Sequence, residues 1–487
     1  MSRSNPSPTT ALALLGLGLP FGLACNASIH GIPFGQEQPD LQEKGGEGDD
    51  GGTVSCVNLK CRIPSCAPTG DGTTSLTGVV TIPAGNLPLY NATVYIPNAP
   101  VGPIVTGASC DRCDNLYSGD PIVKTTTDVN GRFTLTGIPA GADIPLVIRL
   151  GKWRRQITIP AVQACTGNKV DPALTRLPRN RSEGDIPRIA LVTGGFDAIE
   201  CLFRKLGIDD SEFTKESDPG RVNLFAGHGG TASYQAGFNG GAGFTVASDS
   251  PGLADGWWSN LENLKKYDIV VLPCEGLPFV DEKSRAARDA MEDYINLGGR
   301  VFASHWQNVW MAQGRSTMQS IARFEGNLQY TNTVVDINLL TPSGEVFEQG
   351  NALADWMVGT GASPSPPGRG RFTVFNGRST VAASSLNTAL AQRYVTYTPP
   401  MQTKSVEQYF SFFAPIGAPA KNQCGRMVFT DMHVSGNDAN RPDPKLDLSA
   451  PAKPFPSGCV TNYFSAQEKA LVFLLFDLAN CLQPEIG

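Results

Sequence analysis

Four histidines occur in 487 residues, and two of them stand directly after apolar runs of strand character. His305 follows Arg300-Val301-Phe302-Ala303-Ser304, and His433 follows Arg426-Met427-Val428-Phe429-Thr430 with only Asp431-Met432 between. Cys274-Glu275 closes a third such run, Asp268-Ile269-Val270-Val271-Leu272, and Gly194-Gly195 closes a fourth, Ile189-Ala190-Leu191-Val192-Thr193. Ligands of α/β sheets bind at the carboxyl ends of the strands, so these tails define one candidate pocket. His305 or His433 could act there as general base with Glu275 or Asp431 as partner, the chemistry of a hydrolase or lyase on carbohydrate or peptide. Imidazole and carboxylate also suit zinc, but no compact H-x-x-x-H spacing is present and no metal ligand set is assigned. Cys274 is a candidate nucleophile if an imidazole lies beside it, against the competing reading of a buried, inert thiol. Aromatic faces suit sugar rings. Trp306 and Trp258, with Gly194 and Gly195, are the candidate binding residues, and Trp257 and Trp310 join the cluster; a purely structural role for these tryptophans is the alternative. The sequence identifies no cofactor.

Positioning such a pocket requires a parallel sheet with helices between its strands. Ile199, Leu202, Phe203 and Leu206 fall on one helical face behind a candidate cap at Asp197, and Gly207 stops that helix. Glu282 to Leu297 reads as a second helix, ended by Gly298-Gly299. Ser465-Ala466-Gln467-Glu468 is a capping box that opens a last helix through Leu471, Leu474 and Phe476. Strand, glycine turn and amphipathic helix in that order predict an α/β domain over 188–487. Long irregular insertions are expected at 210–255 and 308–425. Gly227-His228-Gly229-Gly230, in the first, lacks the strand before and helix after that a phosphate-cradling loop needs, and reads as a mobile surface loop. The run Tyr267–Pro273, the helix after it, Gly298-Gly299-Arg300-Val301-Phe302-Ala303-Ser304-His305 and Gly425–His433 together resemble the class I glutamine amidotransferase-like fold, in its trehalose-utilisation (ThuA-like) branch. The resemblance implies a three-layer, flavodoxin-like architecture. True amidotransferases carry a cysteine nucleophile where this chain has His305, so glutamine hydrolysis through a thioester is not expected and the domain reads as a degenerate member.

Ahead of it, the period is two. Leu76–Ile82, Ala92–Ile96, Phe133–Leu135, Pro145–Ile148 and Gln156–Ile159 are predicted strands separated by Gly/Pro turns, including the tight Asp128-Val129-Asn130-Gly131 turn. They predict a disulfide-bonded all-β sandwich over 56–177, of transthyretin or Ig-like type. Gly78-Val79-Val80, Pro88–Val94, Thr127–Phe133 and Gly137-Ile138-Pro139-Ala140-Gly141 resemble the carboxypeptidase regulatory-like (transthyretin-like) domain, which implies an accessory or adhesive module. Trp153 with Lys152, Arg154 and Arg155 could mark a ligand face, or an exposed basic strand beside a packed tryptophan. A polar linker, 178–187, joins the two halves.

The first 25 residues read as a signal peptide. Arg3 precedes an apolar run, Ala11 to Ala24, too short to span a bilayer. Its end, Gly22-Leu23-Ala24-Cys25, resembles the bacterial lipobox, with Gly22 where Leu is usual; this implies lipidation of Cys25 and, from Asn26, sorting to the outer membrane. Residues 26–55 carry little to bury and read as a disordered tether. The chain holds 12 cysteines. Without Cys25 eleven remain, which in an oxidising compartment means up to five disulfides and one free thiol, assigned to Cys274. Cys201 and Cys481 are the guessed staple between first and last helices, and Cys110-Asp-Arg-Cys113 reads as disulfide-forming rather than as a redox or zinc motif. The net charge of −6 and the lack of a basic stripe argue against nucleic acid as a partner. The sequence thus reads as an envelope surface protein, and with its ThuA-like motifs it resembles secreted proteins of myxobacteria-like bacteria. It would be a binding or structural module anchored to the membrane by lipid, with glycan or an envelope protein as partner. A hydrolase or lyase, metal-dependent or not, is the alternative; exported localisation, periplasmic or extracellular, holds without the lipid.

Overall fold

The structure is a computed structural model that describes residues 56–482, apart from 68–71, 114–116, 250–255, 327, 331, 365, 367, 401–402, 435–452, 458 and 460–462. The expected signal segment, Cys25 and the tether lie outside the described residues. Strands predominate and form several sheets. Among the described residues no helix is long and apolar enough to cross a membrane.

The first seven strands are β1 (Ser75–Val79), β2 (Thr93–Pro97), β3 (Pro121–Thr126), β4 (Arg132–Thr136), β5 (Gly141–Leu150), β6 (Trp153–Val162) and β7 (Gly167–Lys169). They make a three-stranded sheet in the order β4-β1-β7 and a four-stranded sheet in the order β3-β2-β5-β6. Alternation holds where it was legible: in β4, Phe133 and Leu135 are buried between exposed neighbours. Strand β3 escaped the sequence because its Pro121-Ile122-Val123-Lys124-Thr125-Thr126 run has no fully buried face.

The chain then builds one mixed sheet. Its parallel part takes β8 (Ile189–Val192), followed by helix α1 (Ile199–Lys205), the short β9 (Phe213–Thr214), then β10 (Val222–Ala226), β11 (Thr245–Val246), helix α2 (Leu261–Leu264), β12 (Ile269–Leu272), helix α3 (Arg285–Asn296) and β13 (Arg300–Ser304). Short helices α4 (Val309–Ala312) and α5 (Ser316–Gln319) lead into β14 (Leu328–Gln329), β15 (Thr333–Ile337), helix α6 (Glu348–Gly359), β16 (Arg371–Val374), β17 (Arg378–Ser379), β18 (Ala391–Tyr397) and β19 (Val406–Ala414). Strand β20 (Gly425–Thr430) and helix α7 (Ala466–Ala479) complete it. The order is β11-β10-β8-β12-β13-β20-β19-β18-β15-β16, parallel from β11 to β20 and antiparallel beyond. The insertions are therefore not irregular. The first supplies β10, inside the parallel sheet, and the second extends the sheet by four antiparallel strands.

Both faces of the parallel strands are covered, which is why they read as unbroken apolar runs. Ile189, Leu191, Ile269, Val271, Phe302 and Val428 pack with Leu202 and Phe203 of α1 and Leu471, Leu474 and Leu478 of α7. Their neighbours Ala190, Val192, Val270, Leu272, Val301, Ala303, Met427 and Phe429 pack with Ala287, Met291 and Ile295 of α3 and Trp310 of α4. The first core continues without a break into Leu76, Val94, Phe133 and Ile148 of the N-terminal strands. Tyr90 stacks on Phe473 at 5.8 Å, Trp153 packs on Phe476, and the Trp356 indole donates to the Pro88 carbonyl at 2.9 Å. Trp153 is a core residue, and Lys152 is buried in an ion pair with Asp268 at 2.6 Å, so this is no ligand face. Segment 178–187 is tied down by Arg154–Asp185 and Arg176–Glu183 pairs.

Two caps differ from expectation. Helix α1 has Ala198 at its N-cap with no side-chain bond, and Asp197 is engaged elsewhere; α3 starts at Arg285, capped by Ser284, because 280–282 forms a separate turn. The box on α7 is present with both bonds. Among the described residues five disulfides form: Cys56–Cys61, Cys66–Cys165, Cys110–Cys424, Cys113–Cys481 and Cys201–Cys459. The guessed Cys201–Cys481 staple is absent. The end of α7 runs onto the 110–113 loop, where Cys113 N–H donates to the Leu482 carbonyl at 3.1 Å, and this hands Cys481 to Cys113. Cys274 is the free cysteine among the described residues, and it is buried.

Candidate functional site at the carboxyl edge

Strands β12, β13 and β20 are neighbours, and their register aligns Leu272 with Ala303 and Ser304 with Thr430. Continuing each strand by a few residues therefore delivers Cys274, His305 and His433 to one place. Cys274 Sγ lies 3.3 Å from His305 Nδ1, and the two imidazole rings meet edge to face with centroids 5.1 Å apart. One potential ligand atom from each of the three lies within 4.8 Å of the others, and all three residues are buried.

The backbone is shaped for this meeting. His305 sits at φ 46°, a left-handed conformation that a non-glycine residue holds only when its surroundings impose it. The turn His305–Asn308 follows at once and leads into α4, so the strand-to-helix corner falls on the histidine itself. Gly194 allows the end of β8 to touch the end of β12: a Cβ there would stand 2.5 Å from the Cys274 carbonyl oxygen. Gly195 N–H donates to the His228 carbonyl at 3.1 Å. The glycines thus set close backbone approaches beside the site.

Asp197 is the organising residue that the sequence concealed. One carboxylate oxygen accepts from Ser304 Oγ at 2.7 Å and the other from Val434 N–H at 2.8 Å. Ser304 Oγ in turn accepts from Cys274 N–H at 2.9 Å. One buried acid therefore links the tails of β12, β13 and β20. Gln467 on α7 donates to the His433 carbonyl, and Gln307 donates to the Pro273 carbonyl at 2.9 Å.

The carboxylates named from sequence turn away from the histidines. Glu275 forms a buried ion pair with Lys283 at 2.6 Å and accepts from His228 N–H at 2.8 Å. Asp431 accepts from Thr380 N–H at 2.7 Å and from the Thr380 hydroxyl. Burial pushes its carboxyl up to about 7, against the Thr380 bonds and the Arg378 charge. Both carboxylates are thus engaged by other groups, Glu275 by Lys283 and Asp431 by Thr380. His433 is 4% exposed and its Nε2 has no hydrogen-bond partner. Burial holds its imidazole far below the usual range, helped by His305 and Arg378. Burial likewise pushes the Cys274 thiol up to about 12, opposed by the Trp306 and Gly276 N–H groups that point at its sulfur.

Arg378 is the second residue that sequence reasoning missed, because it lies in the insertion thought irregular. It is 8% exposed, close enough to Cys274, Asp431 and His433 for their charges to act on it, and its guanidinium makes one long bond, 3.5 Å to the Asn376 carbonyl. Of the tryptophans, Trp258 and Trp310 pack against each other in the core at 5.1 Å, and Trp258 donates to the Glu282 carbonyl. Trp257 lies on Phe225. Trp258 is thus unavailable to a sugar, and only half-buried Trp306, beside His305, keeps an aromatic edge near the site. The Gly227–Gly230 loop, read as a mobile surface loop, packs on the site: a Cβ on Gly227 would meet Thr193 and Glu275, and His228 stacks on Phe279.

No protein-family model matches this chain, and no curated protein matches it. Among solved structures, a putative ThuA-like protein from Bacteroides uniformis is similar at 15% identity, over 59% of this chain and 90% of that chain, with a TM-score of 0.29. A 9R-lipoxygenase from Cyanothece is similar at 17% identity over 22% of this chain and 17% of that chain, with a TM-score of 0.13. At such TM-scores the overlaps carry no argument about function, which has to come from the geometry of the site.

Proposed function

We propose that this chain is an exported envelope protein that carries out a hydrolase or lyase reaction on carbohydrate or peptide at the Cys274–His305–His433 centre. The observation that carries the reading is the convergence of two histidines and a thiol from three adjacent strand ends. A scaffold needs no strained histidine at a strand-to-helix corner. A neutral imidazole with an unpartnered nitrogen can engage a substrate, a water or a metal, and the nearby Arg378 guanidinium is placed to meet negative charge developing on a substrate. The aromatic cluster that favoured a plain glycan-binding module is largely core. Export rests on the signal-like N-terminus and on five disulfides, which persist in oxidising compartments. The finer architecture belongs to the same proposal: a transthyretin-like sandwich from β1–β7 and an amidotransferase-like parallel sheet whose corner residue is His305. Lipidation at Cys25 and outer-membrane sorting are part of it.

The test is a turnover screen of the purified chain on glycoside, ester and peptide panels, with His305→Gln and His433→Gln variants of unchanged circular dichroism. We expect a substrate whose turnover falls by about 100-fold or more in either variant, the scale of a lost acid–base group. Glycan binding that both variants retain, with no turnover of any panel, would return the protein to the class of binding modules.

A further inference from the structure

We propose that Cys274, His305 and His433 hold one zinc ion through the thiolate and one imidazole nitrogen each, leaving a fourth position for water or substrate. The inference rests on the catalytic reading above and specifies its chemistry.

Four observations lead to it. The donor set is sulfur and imidazole, which suits zinc and not magnesium or calcium. The spacing is close to that of a coordination shell. With Zn–S near 2.3 Å and Zn–N near 2.0–2.1 Å, ligand atoms on a tetrahedron stand about 3.5 Å apart. The Cys274–His305 separation is already 3.3 Å, and every pair lies within 4.8 Å, so a pair has to close by about 1.3 Å at most. Third, the ligands are held from behind, as metal-binding residues require: Asp197 through Ser304 fixes the backbone at Cys274, and Gln467 fixes that at His433. Fourth, His433 Nε2 is buried without a partner. A buried polar nitrogen left unsatisfied costs about 1–3 kcal/mol, and such groups call for an explanation.

A simple hydrogen-bonded thiol–imidazole pair accounts for Cys274 and His305 but leaves His433 unexplained. Among the described residues no further cysteine is available for a purely structural site, since the other ten are in disulfides. Glu275 and Asp431 are engaged by Lys283 and Thr380, so among the described residues the set stays at three protein ligands, the number typical of zinc sites that do chemistry. Zinc held this way lowers the pKa of a bound water and polarises a substrate oxygen.

The test uses the full chain, exported and purified without chelator, with metal content measured by mass spectrometry. One zinc per chain is expected, retained by His228→Ala, whose histidine lies outside the cluster, and lost from Cys274→Ala, His305→Ala and His433→Ala. Because these variants could fold poorly, the wild type is also stripped and refilled with Co2+. A thiolate-to-cobalt charge-transfer band with tetrahedral ligand-field absorption, saturating at one equivalent, supports the site. Substoichiometric zinc with no thiolate band, or metal that survives all three substitutions, overturns it. The same preparations go through the turnover screen: metal-free, histidine-dependent turnover defeats the zinc and keeps the enzyme, whereas stoichiometric zinc without turnover keeps the zinc and defeats the enzyme.

Discussion

Burial decides what the ionisable groups of this protein can do, and Glu407 isolates that effect away from the site. It lies on β19, 1% exposed in its side chain, with Arg393 at 2.8 Å on one oxygen and no partner on the other. Burial pushes its carboxyl from 4.5 up to about 7, and Arg393 only partly restores the charged form. Between those two values the folded chain keeps a proton that the unfolded chain has released. Its contribution to stability is therefore full below about 4.5 and declines as the pH rises towards 7. Urea unfolding of Glu407→Gln should show a flatter pH dependence than wild type across this window; an unchanged slope would mean that Glu407 is ionised throughout. At this scale the sequence was partly legible. Cys274, His305 and His433 could be found because a chemically able residue directly after an apolar strand is a local pattern. Their wiring could not. Whether Glu275 faces His305 or Lys283, and whether Asp197 caps a helix or braces three strands, depends on which side a chain turns after leaving the sheet.

The strands and helices that hold the site differ in how plainly they announce themselves. Strands β8, β12, β13 and β20 are apolar throughout because both their faces are covered, and a continuous run bounded by glycine or proline is hard to miss. Strand β10 is just as central, but it is five residues long with Asn223 as its second residue, buried against Thr214 and Gly220 backbone. Strand β19 hides for a related reason: Glu407, Gln408 and Ser411 are all buried, which breaks its pattern. The loop after β10 provides a direct test of the packing. Gly227→Ala would place a methyl group 2.2 Å from the Thr193 carbonyl oxygen and 2.7 Å from the Glu275 carboxylate. Overpacking of this kind costs about 1–3 kcal/mol, and here it would also pull His228 N–H from Glu275. Gly237→Ala, whose methyl group meets nothing, is the matched control. Equal unfolding midpoints for the two variants would show that the loop does not press on the site.

From residue 56 on, the described chain packs around two cores, one on each face of the mixed sheet, closed by covalent ties. Cys56–Gly487 is a compact unit, with Trp153 of β6, and Pro88 and Tyr90 between β1 and β2, seated on α6 and α7. Two of the disulfides span the longest stretches of chain, Cys110–Cys424 and Cys113–Cys481, with separations of 314 and 368 residues. Their effects on the unfolded chain overlap. Once Cys113–Cys481 is closed, Cys110–Cys424 closes a loop of only about 60 residues, which the chain-entropy estimate sets at about 4 kcal/mol. Removing it as Cys110→Ser/Cys424→Ser should lower the unfolding free energy by up to that amount, measured in denaturant without reductant. A loss well above it would mean that the bond also fixes native geometry that the core does not. The pairing itself was beyond the sequence, since it depends on α7 ending against the 110–113 loop.

That pairing has a consequence for biosynthesis. In the exported setting proposed above, a chain made from its N-terminus would present Cys110 and Cys113 to an oxidising medium long before Cys424 and Cys481 arrive. Separated by two residues, these cysteines find each other or the earlier thiols first, and every such bond is a wrong one. Maturation then requires the early bonds to be reopened after the last residues arrive, so yield should depend on a disulfide isomerase more than on an oxidant. The final helix thus acts as a completion signal: a truncated chain cannot be locked shut, and remains open to proteases while its full-length sibling is sealed.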